Sequence, residues 1–410
     1  MTHSSAARRA LVLFSMFAAA CVGGAEAVED GVQEVRLPPP PPMPARELPS
    51  WGSGDLAAYA GALNHGGAYA PLSAARETAV AAMFDAVHNA AEGAVAGTLT
   101  PNWCSVMSAA GAAGYDLGRY YDTTTSRWVI VGVDATGEGQ ASFFLDPNYR
   151  RDLVIEAPHV YGDNDKIEGR TDTEGATIFQ QTRARMLLIN GADRCQGARG
   201  AACGGTFTSA SVCARQADED PSQPQDMRYR TADAGHNDDT AFHVLHQRMN
   251  DVWTGATFVQ LHGNNDTDLE LGGVSVSDGR RWDPNTTTGF ATVFAANLES
   301  AQGGNLAAAL VHDCTASTEI LCGFFNAQAR YTNNPAAACS GLVLKVGGQR
   351  FLHLEQRVGD DDLGVHSLVD EPAPVIDALS ITVPCRNGVC AAAPAWVPSA
   401  PSTCPVATAS

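Results

Sequence analysis

"LVIEAPHVYGDNDKIEGRTDTEGATIFQQTRARMLLINGADR", Leu153 to Arg194, holds an apolar strand, a polar turn, a helical stretch and a second apolar strand. Strand, helix, strand in that order is the unit of a sheet with helices laid against it. The first strand runs into Pro158 and His159, and the chain then turns acidic at Asp163, Asp165 and Glu168. A strand that merely turns at the surface needs Gly, Asn or Pro. A histidine followed by carboxylates reads as half of a metal site.

The same alternation continues on both sides. "ARETAVAAMFDAVHNAAEGA" has the spacing of a helix, and "RWVIVGVDATGEGQASFFLDP" reads as a hairpin around a Gly-rich turn. After Arg194, "DDTAFHVLHQRMNDVW" is a helix and "ATFVQLHG" a strand. "NLAAALVH" passes from helix to strand, "SGLVLKVGGQRFLHLEQ" is strand, turn and strand, and "PVIDALSI" is a closing helix. The expected fold is α/β, a mixed and mostly parallel sheet with helices on both faces. The expected divisions are a signal peptide over 1–27, a Pro-rich linker over 28–50 and a mainly helical region over 51–125. A catalytic domain then covers 126–384, and an irregular Cys/Pro/Ala-rich tail covers 385–410.

Composition sets the surroundings. The chain has 410 residues, a net charge of -19 and 45% apolar residues. The acidic balance disfavours nucleic acid and anionic membranes as partners. Arg8 and Arg9 precede a short apolar run ending in "AEA" at Ala27, which predicts export to a periplasmic or extracellular space. Cys21 offers a poorer lipid-anchor alternative, and the run is too short for a stable membrane span. Ten cysteines follow Cys21 with no CxxC pair, so disulfides are expected rather than a cysteine zinc site. The local pairings are Cys195–Cys203 or Cys203–Cys213, Cys314–Cys322 and Cys385–Cys390. No protein partner is evident, and the expected partner is a small-molecule or peptide substrate.

Three strands end in polar residues: one in His159, one in Asp193 and Arg194, one in His262. In open α/β sheets the carboxyl ends of the strands line the ligand crevice. His159 and His262 are therefore expected to converge. With one carboxylate they make a three-ligand site for one Zn²⁺ per chain, with an open position for water. The carboxylate is Glu168, just ahead of the next helix, or Asp163, nearer in sequence. Glu355 in "RFLHLEQ" sits in an apolar strand on the same face as His353, where a glutamate is costly unless paired or functional. It is the expected general base; the bland reading is an edge strand with Glu355 in solvent. Arg194 is a candidate to polarise a carbonyl. Asn326, Arg330 and Asn333 are candidates to hold a substrate carboxylate, with His236 as a further crevice contact. A surface ion pair is the plainer account of each arginine. His243 and His246, three apart on one helix face, form a rival metal pair, but a hydrophilic helix face explains them well. Asp238 or Asp239 is expected to cap their helix.

The order of His159, a carboxylate, His262 about a hundred residues on and Glu355 in a late strand resembles the zinc carboxypeptidase-like superfamily. That group includes the N-formylglutamate amidohydrolases and poly-γ-glutamate hydrolases. "EGRTDTE" from Glu168 is similar to the ligand turn of the latter, and "FLHLE" to the strand that carries the base. The usual His-x-x-Glu spacing is absent. The resemblance implies an α/β zinc-exopeptidase type of fold over about 125–384, and hydrolysis of an amide or peptide bond beside a carboxylate. Two alternatives stand: a metal-dependent esterase or phosphoesterase on the same fold, and a non-catalytic secreted calcium- or ligand-binding protein.

Overall fold

The elements run β1 (Ser50–Gly54), α1 (Leu56–Gly61), α2 (Ala74–Ala96), α3 (Trp103–Ala113), β2 (Tyr115–Asp122), β3 (Arg127–Asp134) and β4 (Ser142–Leu145). Then come β5 (Arg151–Ala157), α4 (Thr171–Thr182), β6 (Ala184–Ile189), α5 (Ala241–Val252), β7 (Thr257–Asn264) and β8 (Val274–Ser277). The last are α6 (Phe290–Ala301), β9 (Val311–Asp313), α7 (Ala327–Asn333), β10 (Phe351–Arg357) and α8 (Ala373–Thr382). These come from a computed structural model that describes residues 48–63, 68–96, 103–160, 170–198, 230–264, 274–280, 289–301, 311–313, 323, 326–335, 350–357, 372–388 and 390. All belong to one unit that begins at Pro44.

The ten strands form one sheet in the order β1-β2-β3-β4-β6-β5-β7-β10-β8-β9. The protein is thus α/β with a mixed sheet. Its centre, β6-β5-β7-β10, is parallel throughout. The β2, β3, β4 and β6 neighbours are antiparallel, as are β10 and β8. The mixture is more even than the sequence suggests, because strand polarity leaves no mark on composition. β2 and β3 form one hairpin across residue 125, so the chain on either side of that point builds a common sheet. β2 escapes sequence reading because it does not alternate: only Asp116 of its eight residues is exposed, and the Trp51 ring lies where a Cβ on Gly118 would be.

Register assigns the two faces. Glu156 lies opposite Gln260, Gln260 opposite His353, and His262 opposite Glu355, so these five share one face. On that face Val154, Met186, Leu188, Phe258 and Phe351 pack against α2, α3 and α5 through residues such as Phe84, Phe242, Leu245 and Met249. On the other, Ile155, Leu187, Val259, Leu261 and Leu354 meet α1, α4, α6 and α8 through Leu56, Phe179, Phe294 and Leu379. Each such side chain, fully buried, contributes about 1.5–3 kcal/mol. α4 opens with Asp172 and Glu174 in its first turn, which suits the positive end of the helix dipole.

The winding positions the site. From β5 the chain crosses by α4 on one face to β6, then returns by α5 on the opposite face to β7 on the other side of β5. The winding direction therefore reverses at β5, between the carboxyl ends of β5 and β7. Such a switch point is where open α/β sheets bind ligands. Cys385 and Cys390 form the expected disulfide, and Cys104 and Cys195 each take part in one; the expected pairings through Cys203, Cys213, Cys314 and Cys322 lie outside the described residues. Among the described residues no helix is long and apolar enough to cross a membrane. The expected signal segment and most of the Pro-rich linker lie outside them.

Candidate metal centre

His159 and His262 meet at this switch point. Both are buried, and their Nδ1 atoms face each other at 3.1 Å. His159 follows β5, whose last turn is tied down when the Thr171 hydroxyl donates to the His159 carbonyl. His262 is within β7, and its Nε2 is 2.9 Å from Gln260 Oε1 two residues earlier.

The loop between β6 and α5 closes the site. Asn190 Nδ2 donates to the Ala192 and Ala232 carbonyls and fixes the loop against β6. Asp233 then places Oδ1 2.9 Å from His159 Nε2 and 2.9 Å from His236 Nδ1. The close approach needs Gly235: a Cβ there would sit 3.2 Å from His159 Nε2. Burial alone would raise the pKa of Asp233. The electrostatic pull of His236 and His159, with hydrogen bonds from both rings, outweighs it and holds the carboxyl well below the usual carboxylate range.

Arg194, just past β6, donates from Nη1 to His159 Nδ1 at 3.1 Å. A guanidinium can only donate, so that nitrogen carries a lone pair and the Nε2–H points at Asp233. Burial first, then the charges of His353, His159, Arg194 and His236, push the pKa of His262 well below its ordinary value. His262 is therefore neutral at pH 7, the form that ligates metals.

β10 brings the remaining groups. It lies between β7 and β8, so Glu355 is not on an edge strand. Its side chain is 14% exposed and accepts from His353 Nε2 at 3.0 Å, while the His353 ring lies 4.4 Å from that of His262. Gly323, at φ +63°, lies so near His353 that a Cβ would come within 2.8 Å of the ring.

Other expected residues fall elsewhere. Glu168 and Asp163 lie outside the described residues. Asn326 caps α7, accepting from Ala329 N at 2.9 Å and donating Nδ2 to Gln260 Oε1. Asn333 donates to the Asp278 carbonyl at 2.8 Å, and Arg330 is 1% exposed within α7. The side chains of His243 and His246 do not lie on a hydrophilic face: both are fully buried against the sheet. His246 uses Nδ1 on Glu156 at 2.6 Å and Nε2 on the Thr332 hydroxyl at 2.9 Å. Thr240, not Asp238 or Asp239, caps α5 through its hydroxyl.

Sequence reasoning missed Asp233 and Gln260, and it gave His353 no role. Gln260 carried a signal: it is polar within the apolar run "FVQLHG" and alternates with His262. Asp233 carried none, because only the path of the loop brings it to His159. Among the described residues one complete three-ligand set lies close together: His159, Asp233 and His236, with ligand atoms within 4.8 Å of one another. No family model, curated protein or solved structure matches this chain.

Proposed function

We propose that the protein is a zinc-dependent hydrolase of an amide or peptide bond beside a carboxylate-bearing group. One observation carries this reading: two buried imidazoles bring their Nδ1 atoms to 3.1 Å where the sheet changes its winding direction. Zinc binds nitrogen at about 2.0–2.1 Å, so tetrahedral ligand atoms stand roughly 3.3 Å apart, and the pair fits that spacing. Nitrogen ligands favour zinc over calcium, which prefers oxygen. His159 and His262 would hold the metal, with Glu168 or Asp163 as the carboxylate. Asp233 would orient His159 from behind, as carboxylates commonly do for metal-bound histidines.

Bound zinc supplies a water of pKa about 7, and so a nucleophile at neutral pH. Glu355 would take the proton of the attacking water and pass it to the leaving amine, a role supported by His353, whose Nε2 holds its carboxylate at 3.0 Å. Arg194 would leave His159 Nδ1 when the metal arrives and turn its guanidinium to the substrate carbonyl oxygen. Arg330 would balance the substrate carboxylate, and His236 would border the same space. Asn326 and Asn333, already engaged with Gln260 and Asp278, would hold α7 in place.

A second reading has Asp233 and His236 as ligands beside His159, favoured by their mutual distances. Elemental analysis separates the outcomes. About one zinc per chain, lost in His159→Ala and in His262→Ala but kept in His236→Ala, is expected. Loss in His236→Ala with retention in His262→Ala transfers the site to the second set, and no zinc in the unmodified protein overturns both. A panel of amide, ester and phosphate substrates then tests the bond.

A further inference from the structure

Gln260 does not touch solvent: it is fully buried in the middle of β7. An amide side chain fits its surroundings in two orientations, and here the neighbours permit one. Gln260 Nε2 lies 3.3 Å from Glu156 Oε2, a carboxylate that can only accept from it. It also lies 3.3 Å from Gln328 Oε1. Gln328 is fixed in turn, because its Nε2 donates to the Ala234 carbonyl at 2.8 Å. On the opposite side Gln260 Oε1 receives Asn326 Nδ2, whose own orientation is set because Asn326 Oδ1 caps α7. Glu156 is anchored by His246, and His246 by Thr332.

Gln260 therefore presents a carbonyl oxygen to His262 Nε2 at 2.9 Å, and that nitrogen must carry the proton. We propose that Gln260 is a positioning residue that locks His262 as its Nε2–H tautomer and leaves the Nδ1 lone pair aimed at His159. Asp233 does the same for His159. His262 Nδ1 then lies 3.1 Å from His159 Nδ1, the nitrogen on which the Arg194 guanidinium also rests, so both nitrogens turn to one cation position. The locked pair is a socket shaped before the metal arrives. This deepens the zinc reading, but the tautomer belongs to the metal-free protein and is tested there.

The experiment is long-range ¹H–¹⁵N correlation on metal-free, ¹⁵N-histidine-labelled protein, with zinc affinity measured in parallel by competition with a chelator. In the unmodified protein His262 should be protonated on Nε2 alone. In Gln260→Met the signal should move toward the Nδ1–H form, because a hydrogen bond from that nitrogen to His159 Nδ1 becomes available. Zinc affinity should fall about 10–100-fold. The exchange Glu156→Gln with Gln260→Glu reverses the pair while keeping an acceptor for His262, and should restore the Nε2–H form. An Nδ1–H tautomer in the unmodified protein overturns the proposal even if no variant folds, and so does a tautomer indifferent to Gln260→Met. The expected tautomer shift without zinc binding in any form would uphold Gln260's role and remove the metal reading.

Discussion

The two ends of the parallel strands hold two buried polar clusters of opposite character. At the amino ends, Arg151 donates to the carbonyls of Val383, Thr182 and Ser380, closing the carboxyl ends of α4 and α8. Arg127 nearby is paired with Asp146 and donates to the Phe179 and Gln180 carbonyls. Both guanidiniums there are engaged with oxygens, and Arg127 Nε, which makes no hydrogen bond among the described residues, lies 3.9 Å from the Asp122 carboxylate. At the carboxyl ends, the Nδ1 atoms of His159 and His262 lie 3.1 Å apart, with Arg194 Nη1 also on His159 Nδ1. A satisfied cluster fastens elements together. A cluster of imidazoles gathered around one carboxylate keeps nitrogens that a cation could take.

Mutation should break this contrast in opposite ways. Among the described residues, Arg127→Ala takes from buried Asp122 its only ion pair and leaves buried Asp146 with Arg183 alone, 3.6 Å away, and should cost about 3–5 kcal/mol in urea unfolding with zinc content unchanged. His159→Ala should do the reverse, losing the metal with a smaller stability change. If Arg127→Ala also lost zinc in the folded state, the two ends would not be independent. Glu355→Gln should lower turnover about 10²–10⁴-fold while zinc stays bound; unchanged turnover would remove it as the base.

Acid sharpens the comparison from another side. Burial first, then the His246 charge, pushes the His243 pKa down to about 3. The unfolded chain, near 6.5, takes that proton first, so the stability due to a neutral His243 is complete above pH 6.5 and lost as pH falls toward 3. Urea midpoints should decline over that window on the order of a few kcal/mol, and less steeply in His243→Asn. An equal slope in the variant would place the acid sensitivity elsewhere. The smallest effect expected is Thr240→Ala, which removes the cap of α5 for about 1 kcal/mol without altering zinc content.

The legible parts of the fold were those with strong periodicity. The apolar runs of β5, β6 and β7 and the helical spacing of α2, α4 and α5 stand out in the sequence, and with them His159, His262 and Arg194 at strand ends. β1, β8 and α7 are too short to impose a period. The inward turn of His243 and His246 was hidden because histidine suits both water and a hydrogen-bonded interior. Asp233 needed the path of a loop, and Gln260 needed the register that sets it beside Glu156.

The place of β10 has a consequence for how the protein is made. It sits between β7 and β8, both of which precede it by more than seventy residues, and in the described sheet those two touch only through it. Until the ribosome has released residue 357, β7 and β8 each keep an open edge and the carboxylate of Glu355 is absent. Nearly nine-tenths of the chain must therefore emerge before the site is whole. Unpaired edges invite mispairing with other chains. A nascent copy would need shelter for longest at β7 and β8, the two strands that β10 joins.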